Sequence, residues 1–241
     1  MIIYGIHPVE EVLKHSADRV EELLIAGNLR DSQFEAIADL VGGHSIRTRS
    51  VGSDELDRLA EGGNHQRVAL KVSGYPYRQL KEVIAEDRDR HACIVALAQV
   101  QDPGNLGAIL RSAAAMGVDA VMIPKHRSAK ITPAVVRASA GMAFRVPIVE
   151  VTNLARALRT LKEEGFWVVG TVADDGQPLW QLDWEMDAVV VMGGEHQGMR
   201  RGVEKECDFR VTVPLQPGVE SLNVSAAAAI TLYDRLRTLF A

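Results

Sequence analysis

Five largely apolar runs constrain the fold of this chain more than any other feature. They read CIVALAQV (93–100), AVMIP (120–124), WVVGTV (167–172), AVVVM (188–192) and RVTVP (210–214). Strands without polar alternation are typical of sheets that are buried on both faces, as parallel sheets are. Helical segments lie between or after these runs, at about 105–116, 132–140, 153–164 and 223–239. The pattern predicts an α/β domain with an open parallel sheet, whose ligands bind beyond the carboxyl ends of the strands.

The first third of the chain has shorter elements. Its predicted strands are 20–26, 45–49 and 68–72, and its predicted helices are 8–14, 32–41 and 53–60. This alternation predicts a small α/β sandwich over residues 1–73. The polar segment 74–91 is predicted as a linker, with a surface helix of one continuous domain as the alternative. The parallel-sheet domain then takes residues 92–241.

Composition narrows the class of protein. The 241 residues are 47% hydrophobic and 24% charged, which is an ordinary globular balance. Two cysteines, Cys93 and Cys207, cannot supply a disulfide framework or a four-ligand zinc site, and the histidines lack metal-ligand spacing, so we expect no metal. No apolar segment approaches the roughly 18–20 residues of a membrane span, and the N-terminus lacks the basic start of a signal peptide. We therefore expect a cytoplasmic protein without a membrane partner.

A local basic bias stands out in a chain whose formal net charge is −5. No acidic residue occurs between Asp119 and Glu150, and this stretch holds His126 and several cations. Such a stretch predicts a phosphate-binding surface, and the alternative is a solvated face whose charges are paired by distant acids. The candidate RNA-binding residues are Lys125, Arg127, Lys130 and Arg137.

The segment QDPGNLGAILRSAAAMGV (101–118) follows the first apolar run and opens a helix. Its apolar residues share one face at helical spacing. Arg111 lies well away from that face, which leaves its side chain free to act outside the core. Asn105 has the alternative role of a helix N-cap, and Arg111 that of an ordinary surface arginine.

Two more segments combine strand ends with polar groups. In MGGEHQGMRRG (192–202), glycines crowd the end of a strand around Glu195, which is also compatible with a plain glycine-rich turn. In VPLQPGVESLNVSAAAAITLYD (213–234), Ser221, Asn223 and Ser225 precede a helix. Helix capping explains one of these three side chains but not all of them.

Several common site motifs are absent from the sequence. No G-x-G-x-x-G follows a strand, and there is no G-x-x-x-x-G-K-[ST], which argues against dinucleotide and P-loop sites. There is no H-E-x-x-H, and Ser221 lacks a G-x-S-x-G context, so hydrolase chemistry is unsupported. These absences leave an unrelated α/β small-molecule enzyme as a weak alternative.

Taken together, these segments resemble the SpoU family of ribose 2′-O-methyltransferases, within the SPOUT superfamily. DPGNLGAILRSA, GGEHQGM and VPLQPGVESLNVSAAAAITLYD look like the three family motifs, in order and at similar spacing. GIHPVEEVL and GNHQRVAL are similar to the small RNA-binding domain of the ribosomal RNA branch, so the resemblance covers the whole chain. It departs at Arg67, where the family usually has glycine, and at His196, where a small residue is commoner.

The resemblance implies a fold and a cofactor. The expected fold is a parallel-sheet α/β methyltransferase domain with a C-terminal trefoil knot, plus a small N-terminal α/β RNA-binding domain. Family members dimerise through the knotted domain, so a homodimer is expected. S-adenosylmethionine is expected in the knot, held largely by backbone groups. The cofactor-binding positions implied in this way are Thr171, Gly193, Val213 and Leu222.

The resemblance also implies a reaction. A methyl group would pass from S-adenosylmethionine to a ribose 2′-hydroxyl of RNA, and the nearest likeness is to enzymes that methylate a guanosine of 23S rRNA. Arg111 is given the central role, with Asn105, Glu195, Ser221 and Asn223 around it. Because a guanidinium is normally only a donor, we expect Arg111 to grip a phosphate and stabilise the oxyanion, or to organise a phosphate or Glu195 as proton acceptor. A transfer RNA enzyme of the same family and a non-catalytic rRNA-binding protein are the alternatives.

Overall fold

The computed structural model describes residues 1–194 and 198–238. Its backbone forms two compact units. One unit contains Met1–Pro76 together with Lys130–Arg145, and the other contains Tyr77–Ala129 together with the described part of Val146–Ala241. The sequence did not predict that 130–145 would pack with the first unit. The division at residues 73 and 91 stays a prediction about domains.

The elements of the described ranges are numbered here in chain order. The strands are β1 (Ile2–Tyr4), β2 (Val20–Ile25), β3 (Thr48–Ser50), β4 (Val68–Val72), β5 (Cys93–Leu97), β6 (Ala120–Pro124), β7 (Ile148–Val151), β8 (Trp167–Thr171), β9 (Gln177–Pro178), β10 (Ala188–Met192) and β11 (Phe209–Thr212). The α-helices are α1 (Ile6–Ser16), α2 (Glu35–Gly43), α3 (Ser53–Leu59), α4 (Leu80–Ile84), α5 (Pro103–Ala115), α6 (Pro133–Ala138), α7 (Leu154–Glu163), α8 (Arg201–Glu204) and α9 (Val224–Thr238).

The first unit contains a small mixed sheet with helices on both faces. Its strand order is β1-β4-β2-β3, with β4 antiparallel to both neighbours and β3 parallel to β2. Successive strand residues point to opposite faces, and both Leu23 and Leu24 are buried, so neither face is open to solvent. Helix α3 covers one face through Leu56, which packs in a cluster with Leu24. The small N-terminal α/β domain expected from the sequence is present.

The second unit contains a parallel sheet, as the apolar runs predicted. Among the described residues its strand order is β7-β6-β5-β10-β8-β11-β9, and every pairing in it is parallel. Every residue of the central strands β5 and β10 is buried, which explains why they read as continuous apolar runs. The predicted linker is partly helical, because α4 begins there with a capping box between Gln79 and Glu82. The trefoil knot stays a prediction.

No helix within the described ranges has both the length and the apolar character that a membrane crossing requires.

Arg67 occupies a backbone conformation that suits glycine. Its φ angle is 66°, in the left-handed region, which explains the glycine usual at this position in the resembling family. The side chain offsets the strain through contacts of its own. Nε donates to the Ala26 carbonyl at 2.7 Å, Nη2 donates to Asp31 at 3.2 Å, and the guanidinium lies 5.8 Å from the centre of the Phe34 ring. Arginine at this position therefore adds backbone strain, and its side-chain contacts offset that strain locally.

We expect Arg67→Ala to be less stable than Arg67→Gly by about 1 kcal/mol, because alanine keeps the strain and glycine relieves it. Urea unfolding of the two variants measures the difference. Arg47→Ala and Arg47→Gly are the matched control, since Arg47 does not have a positive φ and glycine there should be the less stable residue. If glycine were the less stable residue at position 67, as expected at position 47, the strain argument would be contradicted.

Candidate functional site

A cavity of about 620 Å³ lies at the carboxyl ends of β8, β10 and β11, where ligands of open parallel sheets bind. It is bounded by these strand ends, by the segment that precedes α9, and by one residue of α5. Its described lining consists of Asn105, Thr171, Val172, Ala173, Met192, Gly193, Gly194, Gly198, Val211, Val213, Leu215, Glu220, Ser221, Leu222, Asn223, Val224, Ala227 and Thr231.

The structure brings seven of the residues nominated from sequence to this one cavity. Their common feature is a position at or just beyond a strand end, or at the start of a helix. These residues are Asn105, Thr171, Gly193, Val213, Ser221, Leu222 and Asn223. Glu220 and Leu215 also line the cavity but were not nominated from sequence. They lie in the same loop as Ser221, so treating the whole loop as lining would have found them.

The turn after β10 requires glycine because other chain segments lie too close for a side chain. A Cβ atom on Gly194 would lie 2.7 Å from the Ala98 carbonyl oxygen, and one on Gly193 would lie 3.1 Å from the Gly198 Cα. Gly194 N–H donates to the Gly198 carbonyl at 2.9 Å, and Gly198 has a φ of 60°. Backbone rather than side chain therefore forms this wall of the cavity.

A pair of amides joins the loop before α9 to helix α5. Asn223 Nδ2 donates to Asn105 Oδ1 at 2.9 Å. Asn223 Oδ1 accepts from the Ser225 N–H at 2.8 Å and from its hydroxyl at 2.6 Å, which caps α9. Asp102 caps α5 by accepting from the Asn105 N–H at 2.7 Å. The starts of α5 and α9 are thus tied together at the edge of the cavity. Helix capping, the alternative role considered from sequence, accounts for the side-chain oxygen of Asn223 but not for its side-chain nitrogen.

Two of the nominated catalytic residues are not among the described lining of the cavity. Arg111 is exposed on α5, outside the cavity lining, on the side opposite the buried Leu106, Ile109, Leu110 and Ala113. Glu195 lies outside the described residues, as does His196. The cavity therefore presents amide and hydroxyl groups, and among its described lining residues Glu220 is the one that carries an ionisable side chain.

The four candidate RNA-binding cations are divided between the two units. Lys125 and Arg127 are exposed in the second unit, directly after β6. Lys130 and Arg137 belong to the first unit. Arg137 donates to the Tyr4 hydroxyl and its guanidinium lies 5.7 Å from the centre of the Tyr4 ring, so part of its hydrogen-bonding capacity is used within that unit.

Neither cysteine is poised for nucleophilic chemistry. Burial raises the pKa of the Cys93 thiol to about 11, and burial with the nearby Asp208 and Glu204 carboxylates raises the pKa of Cys207 to about 11. Both thiols are reduced. Within the described residues, no group of three or more histidine, cysteine, aspartate or glutamate side chains is arranged to hold a metal.

Two family models match the chain. Residues 92–233 match the SpoU rRNA Methylase family, and residues 2–78 match the RNA 2′-O ribose methyltransferase substrate binding model. The first match alone spans more than half of the chain.

Individual proteins are similar over two thirds of the chain to its full length. The 23S rRNA (guanosine-2′-O-)-methyltransferase RlmB of Pseudomonas aeruginosa is 40% identical over 98% of this chain and 95% of its own. The structure of an AdoMet-bound rRNA methyltransferase from Sinorhizobium meliloti covers 100% of this chain and 88% of its own with a TM-score of 0.83, at 23% identity. A TrmH/SpoU tRNA modifying enzyme from A. aeolicus covers 66% of this chain and 79% of its own, with a TM-score of 0.56 and 29% identity.

The raised pKa values predict unreactive thiols. A raised folded-state pKa keeps each thiol protonated until pH rises toward 11, so at pH 8 the thiolate fraction should be roughly 100-fold lower than in the unfolded chain. We expect both cysteines to react with a disulfide reagent at least 100-fold more slowly in the native protein than in urea. A single fast-reacting thiol in the native protein, assigned by mass spectrometry, would contradict this.

Proposed function

Because the chain belongs to the SpoU rRNA methylase family, we propose that it transfers a methyl group from S-adenosylmethionine to a ribose 2′-hydroxyl of RNA, in a guanosine of 23S rRNA. The observation that carries the proposal is the cavity at the ends of β8, β10 and β11, with the Asn223–Asn105 pair at its edge. The cavity has a mixed apolar and amide lining, which suits a nucleoside with a short polar tail.

The residues present fit S-adenosylmethionine. A volume of about 620 Å³ lies within the range of small-molecule sites, and Gly193 and Gly194 line it with backbone groups. Thr171 ends β8 with its hydroxyl bound to the Val191 carbonyl at 3.0 Å, which fixes that strand end against β10. When bound, the cofactor would supply a methyl group that its sulfonium already activates.

The protein must align the ribose hydroxyl with the methyl group and favour the loss of the hydroxyl proton. We assign the alignment to Asn105 and Asn223, because their side-chain amides are bonded to each other and the Asn223 side chain is also held by the cap of α9. Ser221 lines the cavity two residues before Asn223 and adds a hydroxyl donor. These neutral groups orient an acceptor oxygen without adding positive charge near a cationic cofactor.

We assign Arg111 to the RNA rather than to the cofactor. Its guanidinium is exposed on α5, where an RNA phosphate can reach it, and a planar fork grips a phosphate through two parallel hydrogen bonds. Held in this way, it stabilises charge that develops on the ribose oxygen. The proton would pass to a phosphate or to Glu195, since a guanidinium stays protonated at neutral pH.

Ribosomal RNA is the substrate that the comparisons favour. The P. aeruginosa relative carries 23S rRNA guanosine in its name and is similar along 98% of the chain, whereas the A. aeolicus tRNA enzyme covers 66%. The substrate-binding match spans residues 2–78. Lys125, Arg127, Lys130 and Arg137 would contact RNA phosphates and supply affinity without reading bases. Such a substrate implies a cytoplasmic location.

We also propose a homodimer formed through α9. Ile230 and Tyr233 are 41% and 59% exposed on one side of α9, and Trp180 is 59% exposed in the short turn that packs against this helix. Ile230 and Tyr233 lie beside the face of α9 that lines the cavity through Ala227 and Thr231, and together with Trp180 they are named the α9 apolar patch. An exposed group of large apolar residues next to a site is typical of an interface, and a second copy of this chain fits it.

The reaction is tested with labelled S-adenosylmethionine and separate pools of ribosomal and transfer RNA. Methylation of a 2′-oxygen prevents its attack on the adjacent phosphate, so we expect label in an alkali-resistant dinucleotide from the ribosomal pool only. Label in the transfer RNA pool would identify the other substrate of the same family. RNA binding without any transfer, in naked RNA and in ribosomal particles alike, would identify a binding protein.

The two roles of Asn223 can be separated by substitution. Asn223→Ala removes both the cap and the Asn105 bond, and should cost about 1 kcal/mol of unfolding free energy and roughly tenfold in kcat. Asn223→Ser restores the cap but is too short to reach Asn105, so stability should recover while kcat stays low. Recovery of kcat together with stability would show that Asn223 is only a cap.

The dimer is tested by mass. Light scattering should give about twice the 26.3 kDa of one chain, and the double variant Ile230→Asp/Tyr233→Asp should give a monomer, because a charge buried without a partner is costly. Trp167→Gln removes an exposed aromatic ring outside the α9 apolar patch and should stay dimeric. A dimer that survives the double variant would place the interface elsewhere.

A further inference from the structure

A second cavity, of about 420 Å³, lies at the carboxyl ends of β5, β6 and β7. No residue nominated for the cofactor or for catalysis lines it. Its described lining consists of Ala98, Gln99, Pro124, His126, Arg127, Thr152, Asn153, Leu154, Ala155, Arg200, Gly202 and Val203. We name it the cationic cavity because of the charge of this lining.

The lining combines cationic groups and contains no carboxylate among the described residues. Arg127 and Arg200 carry permanent charges from two different loops, one after β6 and one after β10. His126 adds a ring N–H donor in either protonation state. In a chain of net charge −5, two arginines and a histidine around one concave surface favour an anionic ligand.

Arg200 is oriented by a neighbouring amide. With the Gln99 side-chain oxygen facing Arg200, that oxygen accepts from Nε at 3.0 Å and from Nη2 at 2.6 Å. This arrangement fixes the plane of the guanidinium while Nη1 keeps its own N–H groups. An arginine whose plane is fixed in this way loses less side-chain entropy when it binds a ligand.

The start of α7 adds backbone donors to the same surface. Asn153 caps the helix by accepting from the Arg156 N–H at 3.0 Å, and Leu154 and Ala155 of the first turn line the cavity. The first N–H groups of a helix have no partner within it, and the helix dipole favours negative charge there. The helix end alone would not define a site, but it faces the same cavity as the two arginines.

The two cavities share a wall. Gly194 lines the first cavity, and a Cβ on it would lie 2.7 Å from the Ala98 carbonyl oxygen and 3.3 Å from the Gln99 Cβ. Ala98 and Gln99 line the cationic cavity. A polymer that places one unit at the first cavity therefore has its neighbouring units within reach of the second.

We propose that the cationic cavity binds a backbone phosphate of the RNA substrate, one or more nucleotides away from the ribose that is methylated. The inference rests on the proposed function, and it adds Arg200, His126 and Gln99 to the residues that recognise the substrate. A phosphodiester suits this lining, because its oxygens accept several charge-assisted hydrogen bonds from guanidinium and backbone N–H groups. The contact carries no base preference, and it sets the register of the RNA strand relative to the site of methyl transfer.

The test measures RNA binding directly. Arg127→Ala and Arg200→Gln are titrated against a fluorescent fragment of 23S rRNA by anisotropy, at several salt concentrations. Each variant should weaken binding roughly tenfold and lower the slope of log K against log salt by about one phosphate contact. The affinity for S-adenosylmethionine, from calorimetry, should not change.

Arg156→Ala is the matched control, since Arg156 is exposed in the first turn of α7 but does not line the cavity. It should leave both the RNA affinity and the salt slope close to those of the wild type. Unchanged RNA affinity in Arg127→Ala and Arg200→Gln would overturn the inference, as would equal losses in all three variants. Loss in Arg200→Gln alone, with a lower melting temperature, would also overturn it, because Arg127→Ala must act too.

The inference and the proposed function fail in different ways. A wild-type protein that binds rRNA but transfers no methyl group would overturn the proposed reaction, while the anisotropy titration would still decide the role of the cationic cavity. Competition by orthophosphate at constant ionic strength distinguishes the two sources of phosphate. Orthophosphate that binds at micromolar concentration without displacing RNA would indicate a site for a small phosphate ligand and would overturn the RNA assignment.

Discussion

The parallel pairing of β10 with β5 decides where both cavities open. The two strands align residue for residue from Ala188 opposite Cys93 to Met192 opposite Leu97, so they end at the same level of the sheet. The turns that follow them must then pass each other, and only glycine at position 194 allows the contact with Ala98. That contact separates a cavity without cationic side chains in its described lining, on the β8 and β11 side, from the cationic cavity on the β6 and β7 side.

The sheet could be read from sequence because burial on both faces leaves a continuous apolar signal, as it does in β5 and β10. The signal fails where a strand is short or interrupted. Strand β7 has four residues and includes the half-buried Glu150, and β1 has three, so neither produces a run that stands out from its surroundings. Such strands are recognisable only from their neighbours, through the backbone pairing of Ile148 with Val121 or of Ile3 with Leu70.

The placement of 130–145 in the first unit shows a different limit. Its helix α6 has an ordinary local pattern, with Pro133 in the first turn and Thr132 as the N-cap. The segment belongs to that unit because it contacts residues more than a hundred positions away in sequence. At Gly141, for example, a Cβ would lie 2.9 Å from the Cα of Pro8. Local propensity cannot encode such contacts, and in a single sequence nothing else reports them.

The site shows the same division between local and distant information. Thr171, Gly193 and Val213 were nominated from the family resemblance, and they line one cavity because each ends or follows a parallel strand at the same edge of the sheet. Arg200 follows β10 as well, but its role depends on Gln99, a hundred residues away, and on which side of the shared wall its side chain lies.

The separation of the two cavities has an electrostatic reason. Two positive charges at a distance on the order of 10 Å repel by about 2 kcal/mol at an effective dielectric constant of 20, so a wall between Arg127 and Arg200 and a cavity proposed to hold a sulfonium limits this repulsion.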